Sequence, residues 1–324
     1  MKKNLLSQKG VALVLVLWVT VFLTVMVSGF ITMVRTEAGA VGNYREETQA
    51  YYLARSGLNA AAAKLMENLS GKKGDRRRWI PDGRPYRVSI DKGFFEVRVA
   101  DESGKVDLNK AQRSDLSRLL TALEIDWAER DTIVDSTLDW LDENDFHRLN
   151  GAEDAFYGSL PEPYGAKDGP MDTVDELLWV KGVTEEFFYG GEGDDTGDEP
   201  PRAGLEGVFT VHTRSVRVNV NTAPFEVLLA LPGIDGTKAG RIIEARENAE
   251  FQSAAELARI GVTLGPTLTK YIGFTSSGIY TIEATGGLEG SPVRHTVRAV
   301  MEIRKTGQRV IYWKDQARVR RSSS

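Results

Sequence analysis

Seven acidic residues fall within 20 positions near the middle of the chain. Asp135 and Asp139 lie four residues apart, and residues 132–140 are predicted to be helical, so both carboxylates share one helix face. They would repel each other unless they were solvated or bridged by a cation. Calcium takes six to eight oxygen ligands of this kind. The sequence leaves two alternatives open, a calcium site or a solvated acidic surface. The candidate ligands are Asp135, Asp139, Asp142, Asp145 and Glu153.

Other metal or catalytic sites find little support. The spacing is not that of an EF-hand, because no glycine occupies the sixth loop position. The chain has no cysteine and only three histidines, which lie far apart in sequence, so thiolate sites, histidine metal sites and Ser-His-Asp triads are not indicated. A carboxylate pair could serve as the acid and base of a glycosidase, but any acidic loop offers such pairs. We expect no enzyme.

The charge is distributed unevenly over the 324 residues. Residues 101–200 contain 8 Lys+Arg and 27 Asp+Glu, a net charge of −19, whereas the whole chain carries −5. A segment with this much negative charge repels the phosphate backbones of nucleic acids. The length suggests about two domains, and the 41% of hydrophobic residues is enough for packed cores.

An uncharged apolar segment lies close to the N-terminus. Residues 11–34 carry no charge, and three lysines precede them. As a helix this segment would be about 36 Å long, enough to cross a bilayer core of about 30 Å. The leading lysines favour a cytoplasmic N-terminus. A cleaved signal peptide should have a shorter apolar region; a plain single-pass anchor remains an alternative.

The residues at the start of this segment resemble a known processing site. Gln8-Lys9-Gly10-Val11-Ala12-Leu13 is similar to the prepilin peptidase site of type IV pilins and type II secretion pseudopilins. The resemblance implies cleavage after Gly10, methylation of Val11 and retention of the apolar helix. The fifth mature position usually holds glutamate but is Leu15 here. That departure is characteristic of the K-type minor pseudopilin family.

Two regions with strand patterns flank the middle of the chain. Residues 86–90 and 94–99 alternate polar and apolar side chains around a predicted turn at residues 91–93. Residues 279–284, 295–303 and 310–313 form the second region, with a predicted Gly-rich turn at Gly286 and Gly287. Residues 37–69 contain no proline and predict a continuing helix, whose apolar face comprises Leu53, Leu58, Ala61, Ala62, Leu65 and Leu69.

The segment between the two strand regions contains an internal repeat. Val106-Asp107-Leu108-Asn109-Lys110-Ala111 matches Val218-Asn219-Val220-Asn221-Thr222-Ala223, and a leucine-rich helix is predicted after each. The repeat units span residues 106–189 and 218–273. An acidic linker at residues 190–201 joins them, and the first unit carries an additional acidic excursion around residues 139–170.

The second unit resembles a helix-hairpin-helix module through Leu231-Pro232-Gly233-Ile234-Asp235 and the helix that follows. In DNA-binding members, such as competence DNA receptors, the hairpin and the next helix hold a phosphate. Residues 201–276 carry a net charge of only +1, so we favour a structural module over a DNA contact.

Taken together, the whole chain resembles the type II secretion minor pseudopilin family, general secretion pathway protein K. The resemblance implies an α+β fold with a pilin-like helix on an antiparallel sheet and a large inserted α-domain of duplicated helix-hairpin-helix (SAM-like) units. It divides the chain into a leader (1–10), a transmembrane helix (11–34), helix and first sheet part (35–105), inserted domain (106–276), and second sheet part with tail (277–324).

The function implied by this resemblance is non-enzymatic. The protein would cap the tip of the periplasmic pseudopilus and support export across the outer membrane. It would be a single-pass inner-membrane protein with its C-terminal domain in the periplasm. The implied partners are the I- and J-type minor pseudopilins, other pseudopilins and prepilin peptidase, with no nucleic acid. Trp140, residues 151–153 and Tyr157 resemble a family stretch that is associated with calcium. The alternative is a membrane-anchored, competence-type DNA-binding protein.

Overall fold

The computed structural model describes residues 7–70, 78–191, 203–213, 215–263 and 265–315, with the backbone alone for residues 7–11. A long N-terminal helix packs on one face of a five-stranded antiparallel sheet, and a helical domain is inserted in the sheet. The fold is therefore α+β, as predicted. The long helix is α1 (Ser7–Ser70), and the sheet contains β1 (Asp82–Ile90), β2 (Gly93–Asp101), β7 (Ile279–Leu288), β8 (Arg294–Arg304) and β9 (Gly307–Asp315).

The inserted domain consists of short helices and two-residue strands. Its helices are α2 (Arg113–Ala122), α3 (Trp127–Leu141), α4 (Asp154–Tyr157), α5 (Glu185–Tyr189), α6 (Leu205–Val208), α7 (Phe225–Leu229), α8 (Gly236–Asn248), α9 (Ala254–Arg259) and α10 (Pro266–Thr269). Its strands are β3 (Val106–Asp107), β4 (Phe209–Thr210), β5 (Val218–Asn219) and β6 (Ile272–Gly273), and two 3₁₀ helices span Glu102–Gly104 and Val174–Trp179.

Helix α1 has two parts with different surroundings. From Ala12 it is apolar and exposed, with a mean hydropathy of 2.5 in its most apolar window, and it is long enough to cross a membrane. Its second part buries one face against the sheet. Of the predicted face, Leu53 and Leu69 are half-buried. The buried residues of this part are Ala50, Ala54, Leu58, Ala61, Ala62 and Leu65.

The two predicted strand regions form one sheet. Its order is β1-β2-β7-β8-β9, and β2 pairs with β7 from Asp101 opposite Tyr280 to Gly93 opposite Leu288. The periodicity of the strands could not establish this pairing, which the family resemblance implied. The chain therefore leaves the sheet after Asp101 and returns at Ile279, with the inserted domain between.

The turn predicted at Gly286 and Gly287 is wrong. Both glycines lie inside β7, which continues to Leu288. A Cβ atom on Gly286 would lie 2.0 Å from the carbonyl oxygen of Ala50 and 2.5 Å from the amide nitrogen of Ala54. Glycine is needed here because the backbone of α1 approaches the strand too closely for any side chain.

The internal repeat has a structural counterpart. In the first unit, the Asn109 amide donates to the Met171 carbonyl (2.9 Å) and accepts from the Met171 N–H (2.9 Å). In the second, Asn221 makes the same pair of bonds with Phe251, at 2.9 and 2.7 Å. We call this reciprocal pair the asparagine clamp. Each clamp joins the residue two positions after the opening strand of its unit to a segment 62 or 30 residues later.

Parallel strand pairs close the two units in the same way. Strand β3 pairs with β4, and β5 pairs with β6. The closing strand of the first unit therefore lies at Phe209–Thr210, past residue 189 where the sequence pattern ended. Buried leucines of both units, among them Leu116, Leu120 and Leu228, enter one hydrophobic core, while α1 and the sheet enclose a second core.

Candidate metal centre in the acidic excursion

Helix α3 places Asp135 and Asp139 on one buried face, as the i, i+4 spacing predicted. Each carboxylate has a cationic partner. Asp135 forms an ion pair with Arg113 and accepts from the Asn150 backbone and side-chain nitrogens, both at 3.2 Å. Asp139 accepts from the Arg148 guanidinium at 2.5 Å and from the Arg148 N–H at 3.1 Å. These two aspartates thus hold the following loop against α3.

The loop after α3 is organised by short-range bonds. Asp142 accepts from the Asn144 N–H (3.2 Å) and from the Arg148 guanidinium (2.7 Å). The Asn144 side-chain oxygen accepts from the Phe146 N–H at 3.0 Å. Asp145 is exposed beside them. A Cβ atom on Gly151 would collide with the Asp139 carboxylate, so glycine is required where the loop returns to the helix.

Glu153 is the carboxylate with the most unfavourable surroundings. Its side chain is buried, and neither carboxylate oxygen has a hydrogen-bond partner. Burial, together with the nearby negative charges of Asp139 and Asp142, raises the pKa of Glu153 to about 7. Buried polar groups without hydrogen-bond partners are rare in folded proteins, and such a group calls for a bound water or ion. A cation at this position would supply the missing partner.

Asp168, near the C-terminal end of the excursion, also lies close to negatively charged carboxylates. One of its carboxylate oxygens is buried without a partner. Burial, and then the negative charges of Asp154, Asp145 and Asp142, raise the pKa of Asp168. No sequence pattern pointed to this residue, because it lies 15 positions after Glu153, beyond two prolines. Its one local signal is the Asp168-Gly169 pair, which is typical of a turn.

The donor set suits a hard cation, since it consists of oxygens only. Within the described ranges, no group of three or more acidic or histidine side chains is placed to hold a metal ion by itself. Calcium also accepts backbone carbonyls and water as ligands. The two orphaned carboxylates, Glu153 and Asp168, therefore fit a calcium site to which other oxygens would have to contribute.

None of the five predicted ligands lines the cleft between the two repeat units. That cleft is bordered by apolar residues such as Val227 and by Arg118, which is itself bonded to Asp115 (2.6 Å) and to the Ala230 carbonyl (3.0 Å). The carboxylates that do line this cleft are Asp107 and Asp115, which belong to the first repeat unit outside the excursion.

The hairpin of the second unit differs from a phosphate site in its charge. Gly233 has φ of 80° and forms the turn before α8. Asp235 caps α8 and accepts from the Lys238 N–H at 2.9 Å, while Lys238 Nζ donates back to the Gly233 carbonyl at 2.7 Å. A carboxylate thus occupies the helix N-terminus, where a phosphate would have to bind.

The predicted processing residues lie at the edge of the described chain. Gly10 and Val11 are part of α1, but their surroundings fall outside the described side chains. Leu15, at the fifth position after the predicted cleavage point, is exposed on α1.

Comparisons with known proteins agree with this architecture. Residues 94–189 match the family described as type II secretion system (T2SS), protein K, and residues 213–267 match the helix-hairpin-helix motif. The chain is 27% identical to the type II secretion system protein K of Pseudomonas aeruginosa, over 80% of this chain and 78% of that protein. It is 23% identical to the protein of the same name from Pectobacterium carotovorum, over 79% and 80% of the two chains.

A solved structure shares the fold. It is the crystal structure of the GspK-GspI-GspJ complex from the type 2 secretion system of enterotoxigenic Escherichia coli. A chain of that complex matches with a TM-score of 0.61 and 13% identity, covering 86% of this chain and 100% of the other.

Proposed function

We propose that this chain is a minor pseudopilin of the type II secretion system protein K family, whose model matches residues 94–189, and that it caps the tip of the periplasmic pseudopilus and supports protein export across the outer membrane. The observation that carries the proposal is the joining of a pilin-type helix and sheet to a bulky domain inserted at one end of that sheet.

The inserted domain lies at the end of the sheet away from the apolar part of α1. Gly286, near the end of β7, packs on Ala50 and Ala54, whereas the insertion joins the opposite end, at Asp101 and Ile279. With α1 crossing the inner membrane and the sheet in the periplasm, the insertion would occupy the space in which the next subunit would be added. This geometry supports a position at the end of the fibre.

Ion pairs and hydrogen bonds join the inserted domain to the sheet. At the junction, buried Glu102 accepts from Lys105 (2.5 Å), Thr210 (2.5 Å) and Thr281 (2.7 Å), which links the two parts of the molecule. Elsewhere, Arg298 of β8 binds Glu206 of the insertion, and Lys314 of β9 binds Asp175. A domain fixed in this way cannot swing aside to admit a subunit above it.

Leu15 supports the same position. In pilins, the glutamate at this depth pairs with the terminal amine of a neighbouring subunit, and a buried carboxylate without such a partner is costly. With leucine there, this subunit needs no such neighbour. Its partners would be the I- and J-type minor pseudopilins, since the matching solved structure is that of a GspK-GspI-GspJ complex. Prepilin peptidase would cut after Gly10 and leave Val11 as the new N-terminal residue.

We further propose that the acidic excursion binds calcium. Glu153 and Asp168 would be ligands because their oxygens lack other partners, and Asp142 and Asp145 are the nearby negative charges that could contribute. Asp135 and Asp139, which the sequence also predicted as ligands, would position the loop through Asn150 and Arg148. The bound cation would neutralise the repulsion among these carboxylates.

The tip position is tested by labelling. An epitope placed on the protein should appear at one end of isolated pseudopili in electron micrographs, and labelling along the whole fibre would refute the cap. Deleting residues 106–273 should give longer fibres, whereas Leu15→Glu should change their length little, because the insertion still blocks the site above.

The predicted cleavage is tested by N-terminal sequencing of the protein extracted from membranes. The mature chain should begin at Val11, and any other first residue would contradict the prediction.

A further inference from the structure

The loop at residues 142–150, here called the excursion loop, exposes two large hydrophobic side chains. Phe146 is 85% exposed and Leu149 is 93% exposed. Within the part of the chain that the structure describes, no other large hydrophobic side chain is as exposed, and Leu13 of the membrane helix reaches only 75%. Because one loop presents both side chains within three residues of each other, they form a candidate interaction site.

The excursion loop is held in place by buried carboxylates. Arg148, between the two hydrophobic residues, binds Asp139 through its backbone (3.1 Å) and side chain (2.5 Å). Asn150 binds Asp135, and Phe146 N–H is bonded to the Asn144 side chain. Phe146 and Leu149 are thus presented by a rigid backbone, and a preorganised loop loses little entropy when it binds a partner.

The charge around the hydrophobic pair selects the class of partner. Glu143 and Asp154 are exposed and are not among the proposed calcium ligands, while the Arg148 guanidinium is engaged by Asp139 and Asp142. This negative surface repels anionic lipid headgroups and nucleic acid. We propose that the excursion loop docks a protein partner that offers an apolar pocket for Phe146 and Leu149, bordered by lysine or arginine side chains.

Site-specific photocrosslinking of the full-length protein in exporting cells tests this proposal. The probe is Phe146→p-benzoylphenylalanine, and Trp127→p-benzoylphenylalanine is the matched control, since Trp127 is also exposed but lies at the start of α3. The expected result is a protein adduct at position 146, absent from the control. Mass spectrometry should map its attachment point to an apolar residue with basic neighbours.

Two second-site variants make the test specific. Leu149→Ser should lower the adduct yield about tenfold, because Leu149 would be buried in the partner's pocket and the loss of one such side chain weakens binding by about this factor. Glu143→Lys should lower it about threefold by reversing a charge at the rim. Both residues are exposed, so unchanged melting temperatures are expected and are checked in parallel. The proposal is overturned if position 146 gives no adduct, an adduct with lipid only, an attachment point without basic neighbours, or a yield unaffected by Leu149→Ser.

Discussion

The two repeat units share one scaffold but use it differently. Both are closed by a parallel strand pair and by an asparagine clamp, Asn109 with Met171 and Asn221 with Phe251. In the second unit 30 residues separate the clamp partners, and in the first 62 residues do, because the acidic excursion is inserted there. The clamp therefore tolerates a long insertion between its two partners. The first unit carries the additional carboxylates of the acidic excursion while it keeps the same clamp and strand pair.

Removing the asparagine clamp should lower the free energy of unfolding more than any of the changes below. The loss should be larger in the second unit than in the first. Asn221→Ala would leave the Phe251 N–H and two carbonyls without partners in a buried site, whereas Asn109→Ala affects one N–H and one carbonyl in a half-buried one. We expect losses of about 4 and about 2 kcal/mol in the free energy of unfolding. Urea denaturation of a soluble form starting at residue 35 measures both, and equal losses would contradict the ranking.

The excursion should depend on its own ion pairs, which have no counterpart in the second unit. Arg148→Met would leave fully buried Asp139 without its cation, and we expect a loss of about 3 kcal/mol. The double variant Arg148→Met with Asp139→Asn should recover part of it. Denaturation curves that coincide for the wild type and Arg148→Met would show that the pair does not hold the loop.

Glu153 should give the first unit a pH dependence. Its pKa is raised from 4.5 to about 7 in the folded state, so its contribution to the free energy of unfolding is largest below pH 4.5 and falls as the pH rises to about 7, by about 3 kcal/mol at most. Calcium should abolish this fall, since it stabilises the charged form. Glu153→Gln should show a smaller fall with pH and a smaller stabilisation by calcium, since Asp168 remains.

Melting temperatures at pH 5.5 and 7.5, with chelator and with excess calcium, test this prediction. At a hundred times its dissociation constant, calcium would contribute about 2.7 kcal/mol. Chelator and calcium curves that coincide for the wild type at pH 7.5 would indicate a solvated acidic surface instead.

The smallest effect is expected at the hairpin of the second unit. Lys238→Ala removes an exposed pair with Asp235 (3.3 Å) and one bond to a backbone carbonyl, so the free energy of unfolding should change by about 0.5 kcal/mol or less. Fibre assembly should be unchanged if the unit is a scaffold. Measurable duplex DNA binding by the wild type that Lys238→Ala weakens would instead support the DNA-binding alternative.

Local patterns predicted most of the secondary structure near the repeat and the sheet. The first hairpin forms around the predicted turn, with Asp91 at φ of 53° and β2 starting at Gly93. The repeat was visible because both units need asparagine at the same point, although the clamp itself could not be foreseen. The turn predicted at Gly286 failed because its glycines serve close helix packing, which has no local signature.

The sequence alone determined the properties that can be counted from consecutive residues. These are the length of the apolar segment, the strand and helix periods, the duplication and the acidity of residues 101–200. Only the tertiary structure decided which carboxylates have partners. Asp135 and Asp139 had the spacing of a cation site, yet each is matched by an arginine, while Glu153 and Asp168 have orphaned oxygens. The physical reason is that desolvation and pairing depend on groups brought together from distant segments, and a sequence pattern carries no distances between them.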